Sequence, residues 1–248
     1  MIAARMDFVV LEETADWLVV DKPAPLIVHP TSKKKEPTLL CGLKERFAAR
    51  GEESGMLAFI NRLDRETSGL VLVARNAAAA RSFGKAMMRR QIGKAYRAIV
   101  RGWPDWEELR IDGPILRRGE IVPEARVWVR QMVHPDGKPC VTNLRVERRI
   151  ERPEGRFTLL QVTTETGRMH QIRVHCAHAG HPIVGDKIYG GNEECYLNYM
   201  ESGWTAELRD ELLMERQALH ASRLNVDWNG ERREWESPLP DEMAAFLG

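Results

Sequence analysis

The stretch FINRLDRETSGLVLVA, Phe59 to Ala74, decides how the chain reads. Its end, Leu70-Val71-Leu72-Val73-Ala74, is a short apolar run rich in β-branched residues, the pattern of a buried strand. Between Ile60 and that strand stands a polar turn, and Gly69 permits the backbone angles a turn into a strand needs. The turn places one carboxylate, Asp64, on a loop at a sheet edge, with Arg62 and Arg65 on either side. Nearby positive charge favours the ionised carboxylate, and an ionised, positioned Asp serves as a nucleophile or base. The plain alternative is a surface turn held by an Asp–Arg pair, since structural ion pairs are common.

NRLDRETSGLVLVA resembles the catalytic motif of the RluA-type pseudouridine synthases, H-R-L-D-R-[DE]-T-S-G-L-[LV]-[LV]-[VF]-A. It differs only at the first position, where Asn61 replaces His. The resemblance implies that Asp64 is the catalytic residue. Upstream, WLVVDKPAPLIVHP (Trp17 to Pro30) resembles the family's opening strand and K-P-[AS]-G-L loop, with Pro25 in place of Gly. Proline restricts its own backbone and that of Ala24, so a stiffer loop is expected. Lys94-Ala95-Tyr96 matches the family's K-x-Y and implies that Tyr96 lies in the active site. Without the resemblance, Tyr96 reads as a half-buried strand tyrosine sharing a face with Lys94.

A second long match is TETGRMHQIRVHCAHAGHPIVGDKIYG, Thr164 to Gly190. It resembles the family's G-R-x-H-Q-[IL]-R-x-H followed by G-x-P-[IL]-x-G-D-x-x-Y-G. The resemblance implies that Arg173 is the basic partner of Asp64, for which a guanidinium suits a carboxylate bidentately. Arg62, Arg65, Lys94, Arg168, His170 and Gln171 are then the candidate RNA contacts. Met169 to Ala179 is expected to be helical. Leu219 to Leu224 is close to the family's L-H-A-x-x-L strand, while 191–218 resembles the family least and carries no assigned role.

The same stretch holds a competing constellation. His170, His175, His178 and His181 lie within twelve residues, and Asp186 follows. Spacing of i, i+3 for His175 and His178 suits zinc, with Asp186 as a third ligand, but HExxH is absent and nothing points to a carboxylate on the helix that would orient the histidines. Histidines that cap, stack or bond backbone groups are the plainer reading, and no metal is expected.

The chain has 248 residues, 43% hydrophobic and 29% charged, ordinary for a globular protein. No apolar run approaches the roughly 20 residues that span a bilayer, and Met1 to Glu13 lacks a signal peptide's order. Cys41, Cys140, Cys176 and Cys195 are scattered, which suits reduced thiols in the cytoplasm. Net charge is +1, less basic than a protein that merely coats nucleic acid. Local basic runs stand at Lys33–Lys35, at Arg89, Arg90, Lys94, Arg97 and Arg101, and at Arg145, Arg148, Arg149, Arg152 and Arg156. Such runs read first as solvated faces, though a basic groove would also suit a substrate bound through phosphates.

Along the chain, strands are expected at Phe8–Leu11, Trp17–Val20, Ala95–Val100, Cys140–Arg149 and Arg156–Thr164. Helices are expected at Thr38–Arg50, from Asn76 to about Arg90, at Thr205–Gln217 and at Asp241–Leu247. Arg110–Asp112 is expected to close a hairpin with the preceding strand. The pattern predicts a mixed α/β (α+β) class. The resemblance implies the pseudouridine synthase fold, a mostly antiparallel mixed sheet flanked by helices with a central active-site cleft. It also implies a single catalytic domain over 1–248, without a separate N-terminal RNA-binding domain. The implied activity is isomerisation of uridine to pseudouridine in rRNA or tRNA by a cytoplasmic, monomeric enzyme with no cofactor, on a uridine flipped out of a loop. An inactive RNA-binding protein of the same fold is the alternative, with Asn61 and Pro25 as its hints.

Overall fold

The computed structural model describes residues 6–30 and 36–248. The basic run Lys33–Lys35 lies outside them. In chain order the elements begin with β1 (Val9–Glu13), β2 (Trp17–Lys22), α1 (Leu39–Ala49), β3 (Ala58–Phe59), β4 (Ser68–Ala74) and α2 (Ala77–Met88). There follow β5 (Gly93–Arg101), β6 (Glu108–Asp112), β7 (Ile115–Arg117), β8 (Gln131–Val133), β9 (Val141–Arg152) and β10 (Gly155–Thr164). The chain closes with α3 (Gln171–His178), α4 (Glu193–Ser202), α5 (Ala206–Leu212), β11 (Leu219–Trp228), β12 (Glu231–Glu236) and α6 (Asp241–Leu247). The class is mixed α/β, with a large, mostly antiparallel sheet flanked by helices. The chain divides into two compact units: the described residues up to Lys94 with His220–Leu239, and Ala95–Leu219 with Pro240–Gly248.

In the first unit the strand order is β1-β2-β4-β11, with β3 on β4 and β12 on β11. Among the described residues β4 and β11 run parallel and the other strand pairs of this unit antiparallel. All of β4 is buried. Leu70, Leu72 and Ala74 pack with Trp17, Phe83 of α2, Leu224 and Trp235 in one core. Val71 and Val73 point to the opposite face and are also fully buried, so the run reads as continuous rather than alternating. Helix starts follow the sequence: the Thr38 hydroxyl accepts from Cys41 N at 3.1 Å and Asn76 Oδ1 from Ala79 N at 2.8 Å. The β11–β12 hairpin was not expected. Its signal is Asn229-Gly230, both at positive φ, the dipeptide preferred in tight hairpins.

Gly69 is required twice over. Its φ is +109°, and a Cβ there would run into the backbone of Ala221, with Ala221 N only 2.7 Å away. Close approach of β4 to β11 therefore depends on glycine. Gly69→Ala is expected to cost on the order of 3 kcal/mol. Urea denaturation checks this, and an unchanged midpoint would show that β11 yields without loss.

In the second unit the order is β5-β10-β9-β6, all antiparallel, with β7 and β8 forming a separate ribbon. The expected pairing of 110–112 with β5 is corrected: β6 lies on β9, with Glu108 opposite Arg145 and Asp112 opposite Val141. β5 gives an edge to β10 instead, so the link after Arg101 carries the chain past two strands. The third basic run serves the fold. Arg148 and Arg152 donate to the carbonyls of Leu247 and Phe246, each at 2.7 Å, and Arg149 pairs with Glu107 at 2.6 Å. Segment 191–218 is a pair of helices rather than one. Cys195 and Tyr199 of α4 pack on Leu208 and Leu212 of α5, and Leu213 at φ +67° ends α5 earlier than the apolar pattern suggests.

Candidate active site

The Asp64 turn is built in the first unit. Thr67 N donates to Asp64 O at 3.1 Å, and Leu26 N donates to Arg65 O at 2.9 Å. Lys22 is fully buried, and its Nζ donates to the carbonyls of Pro23 (2.9 Å), Leu26 (2.7 Å) and Arg65 (3.4 Å). An ammonium has three donors and no acceptor, so one side chain ties the K-P loop to the catalytic-motif turn. Ala24-Pro25 is a cis peptide within that loop.

Asn61, the departure from the family pattern, holds the other end of the turn. Its Nδ2 donates to Leu70 O at 3.0 Å and its Oδ1 accepts from Leu72 N at 2.8 Å. A carboxamide offers a donor and an acceptor together, as a peptide unit does, so Asn61 continues the β3–β4 ladder by one side chain. Beyond Asp64, Ser68 Oγ bonds His220 Nδ1 at 2.9 Å, and His220 Nε2 lies 3.3 Å from Ser237 O. A carbonyl only accepts, so Nε2 carries a proton. Ser237 Oγ in turn donates to Asp21. Asp64 itself is half-buried, Arg65 likewise, and Arg62 is exposed. Lys94 is partly buried, and burial holds its ammonium below the ordinary lysine pKa.

The second motif folds in the other unit. Tyr96 sits on β5 opposite Val162 of β10 and is half-buried. α3 starts at Gln171, two residues later than expected, because His170 adopts the left-handed conformation with φ +56°. Gln171 secures this turn. Its Oε1 accepts from Thr166 Oγ1 at 2.7 Å and Arg168 N at 3.1 Å, and its Nε2 donates to Val141 O at 2.9 Å. Buried and so engaged, Gln171 supports the loop from inside. Arg168 is exposed, and His170 Nδ1 lies 3.0 Å from Tyr189 OH.

Arg173 has a partner that spacing alone did not reveal. Its Nε and Nη2 donate to Asp186 Oδ2 and Oδ1 at 2.6 and 2.8 Å, a buried bidentate pair. Asp186 Oδ1 also accepts from the amides of Ile188 (3.0 Å) and Tyr189 (3.1 Å). Burial pushes the Asp186 carboxyl up, but Arg173 and the two amides outweigh it and hold it below the ordinary carboxylate range. The Arg173 guanidinium lies 5.1 Å from the centre of the Tyr189 ring. The G-D-x-x-Y part of the motif thus fixes Arg173, a role the sequence reading did not assign to Asp186.

The histidines go separate ways. His175 is fully buried between Thr142 Oγ1 and Gly113 O, each 2.8 Å from a ring nitrogen, and His181 Nδ1 meets Arg101 O at 2.9 Å. Among the described residues no group of three His, Cys, Asp or Glu side chains is placed to hold a metal ion. Burial lowers the His175 pKa. The unfolded chain therefore binds the proton more readily, so stability is complete above the ordinary histidine pKa and falls as pH drops through the lowered one. Denaturation midpoints measured from pH 8 to pH 5 are expected to fall, and His175→Gln is expected to flatten that fall. An equally steep fall in the variant would assign it to other groups.

The RNA pseudouridylate synthase family matches residues 16–178. Ribosomal large subunit pseudouridine synthase D of Haemophilus ducreyi is 35% identical over 240 residues, covering 96% of this chain and 69% of that protein. The uncharacterized RNA pseudouridine synthase YlyB of Bacillus subtilis is 33% identical over 251 residues, covering all of this chain and 74% of its own. The solved structure of human RNA pseudouridylate synthase domain containing 1 superposes with a TM-score of 0.73 at 27% identity, covering 96% of this chain and 86% of that one. Among the described residues no helix is long and apolar enough to cross a membrane. Matched by the family over residues 16–178 and by relatives along nearly its whole length, the chain belongs to the RNA pseudouridylate synthase family, isomerases that convert uridine in RNA to pseudouridine.

Proposed function

We propose that this protein isomerises uridine in large-subunit ribosomal RNA, with Asp64 as the catalytic carboxylate. The observation that carries the proposal is the Asp64 turn, pinned from both sides by the buried contacts of Lys22, Asn61 and Ser68. Such support keeps a reacting group in one orientation. The choice of ribosomal RNA follows the names of the relatives; transfer RNA is the second substrate class.

The reaction breaks the bond between the ribose C1′ and uracil N1 and forms one from C1′ to C5. The proton on C5 leaves to solvent and N1 gains one, so no oxidant, reductant or cofactor is consumed. The uridine first leaves its stack. Asp64 attacks or supports the detached intermediate, Tyr96 contacts the base and assists loss of the C5 proton, and Arg173 orients Asp64. The Arg173–Asp186 pair supports this last assignment, since a bidentate pair fixes the orientation of the planar guanidinium. Arg62 occupies the space left by the flipped base, and Arg65, Lys94, Arg168 and His170 contact the RNA. The structural part taken by Asn61 removes one motive for reading the protein as an inactive binder.

Tritium release from a large-subunit rRNA transcript labelled at uracil C5 tests the activity. Mapping pseudouridines in total RNA, with and without the protein, names the site. A protein that binds the transcript and releases no tritium would be the inactive binder instead.

A further inference from the structure

Between β7 and β8 the chain runs from Arg117 to Gln131 as an arm with one short 3-10 turn. It is firmly held. Val127 is buried in a core with Ile115, Val174 and Tyr189. Gln131 N donates to Tyr189 OH at 2.8 Å, and Arg118 N donates to Arg130 O at 2.8 Å. Arg118 and Arg130 pair with Glu193, and Arg126 with Glu194, in the first turn of α4. Segment 191–218, which had no role in the sequence reading, therefore clasps this arm.

Against that rigidity stands Trp128, 53% exposed beside the buried Val127. Gly119 lies under the indole, where a Cβ would come 2.6 Å from Cζ3. The Arg117 guanidinium lies over the ring, 5.6 Å from its centre, and its buried Nε has no hydrogen-bond partner among the described residues. Ile121 and Val129 on the same arm are also exposed. An indole held out by a tied segment loses little entropy on binding, so it is a preformed platform. A cation beside a presented π-face is the combination that takes an unpaired base together with its phosphate.

We propose that the Arg117–Gln131 arm is an RNA-binding subsite, in which Trp128 stacks an unpaired base and Arg117 meets a neighbouring phosphate. It rests on the reading that the substrate is RNA and adds a specificity-determining contact to it. The arm joins the motif through Tyr189, which touches Gln131, His170 and Arg173 alike.

The test is binding of an unmodified large-subunit rRNA transcript at several salt concentrations, beside tritium release. Trp128→Ala is expected to weaken binding roughly ten- to hundredfold, the usual worth of one stacked base, with an unchanged salt slope. Trp128→Phe should recover most of the loss. Arg117→Gln should lower the salt slope by roughly one unit. Quenching of tryptophan emission by RNA should shrink in Trp128→Phe. Met200→Ala, exposed on α4, is the control and should bind as wild type does. If Trp128→Ala binds as wild type while tritium release proceeds, the arm proposal falls and the activity stands. If binding depends on Trp128 but wild type releases no tritium, the activity falls and the arm stands. Unchanged RNA binding with loss of a protein partner would make the arm a protein-docking site and overturn the proposal.

Discussion

Asp64→Asn is expected to reduce tritium release by a factor on the order of a thousand or more, because removal of a nucleophile costs orders of magnitude in rate. The substitution keeps the shape of the side chain and removes its charge. The contacts made by Lys22, Asn61 and Ser68, and the Thr67 N to Asp64 O turn bond, remain available. Thermal stability and RNA affinity should therefore stay close to wild type. Turnover above about a tenth of wild type would remove Asp64 from the chemistry, and the turn would then be the ion-paired surface feature that the sequence also allows.

Arg173→Ala should fail in two ways at once. It leaves Asp186 as a buried carboxylate without its guanidinium, and breaking such a pair from one side costs about 3–5 kcal/mol. A fall in the urea midpoint measures that part. The catalytic part is separated by adding Asp186→Asn, which removes the stranded charge and keeps an oxygen for the amides of Ile188 and Tyr189. The double variant is expected to regain much of the stability and none of the rate in single-turnover reactions at saturating enzyme. If the rate returns with the stability, Arg173 acts only as a structural partner of Asp186. The basic partner of Asp64 would then be sought at Arg62 or Arg65. Arg168→Ala and Arg62→Ala should instead weaken RNA binding, each lowering the salt slope by roughly one unit per lost phosphate contact.

Local chemistry alone made much of the molecule legible. Leu70 to Ala74 was legible as a buried strand because a short apolar run rich in β-branched residues follows a turn. Thr38 and Asn76 announced α1 and α2 because a cap bonds an amide three residues away. The turn around Asp64 by itself left a reactive carboxylate and an ion-paired surface feature both open, and the resemblance of its motif chose between them. Tertiary structure decided whatever depends on partners distant in sequence. The pairing of β6 with β9 rather than β5 is a choice among edges that strand patterns do not rank. Asp186 read as a carboxylate that could complete a histidine metal site until packing paired it with Arg173, thirteen residues back on α3. His220 meets Ser68 across 152 positions, and Lys22 meets Arg65 across 43. A buried polar group must be satisfied by whatever the fold brings near. Sequence shows that such groups are present, and only packing shows which of them meet.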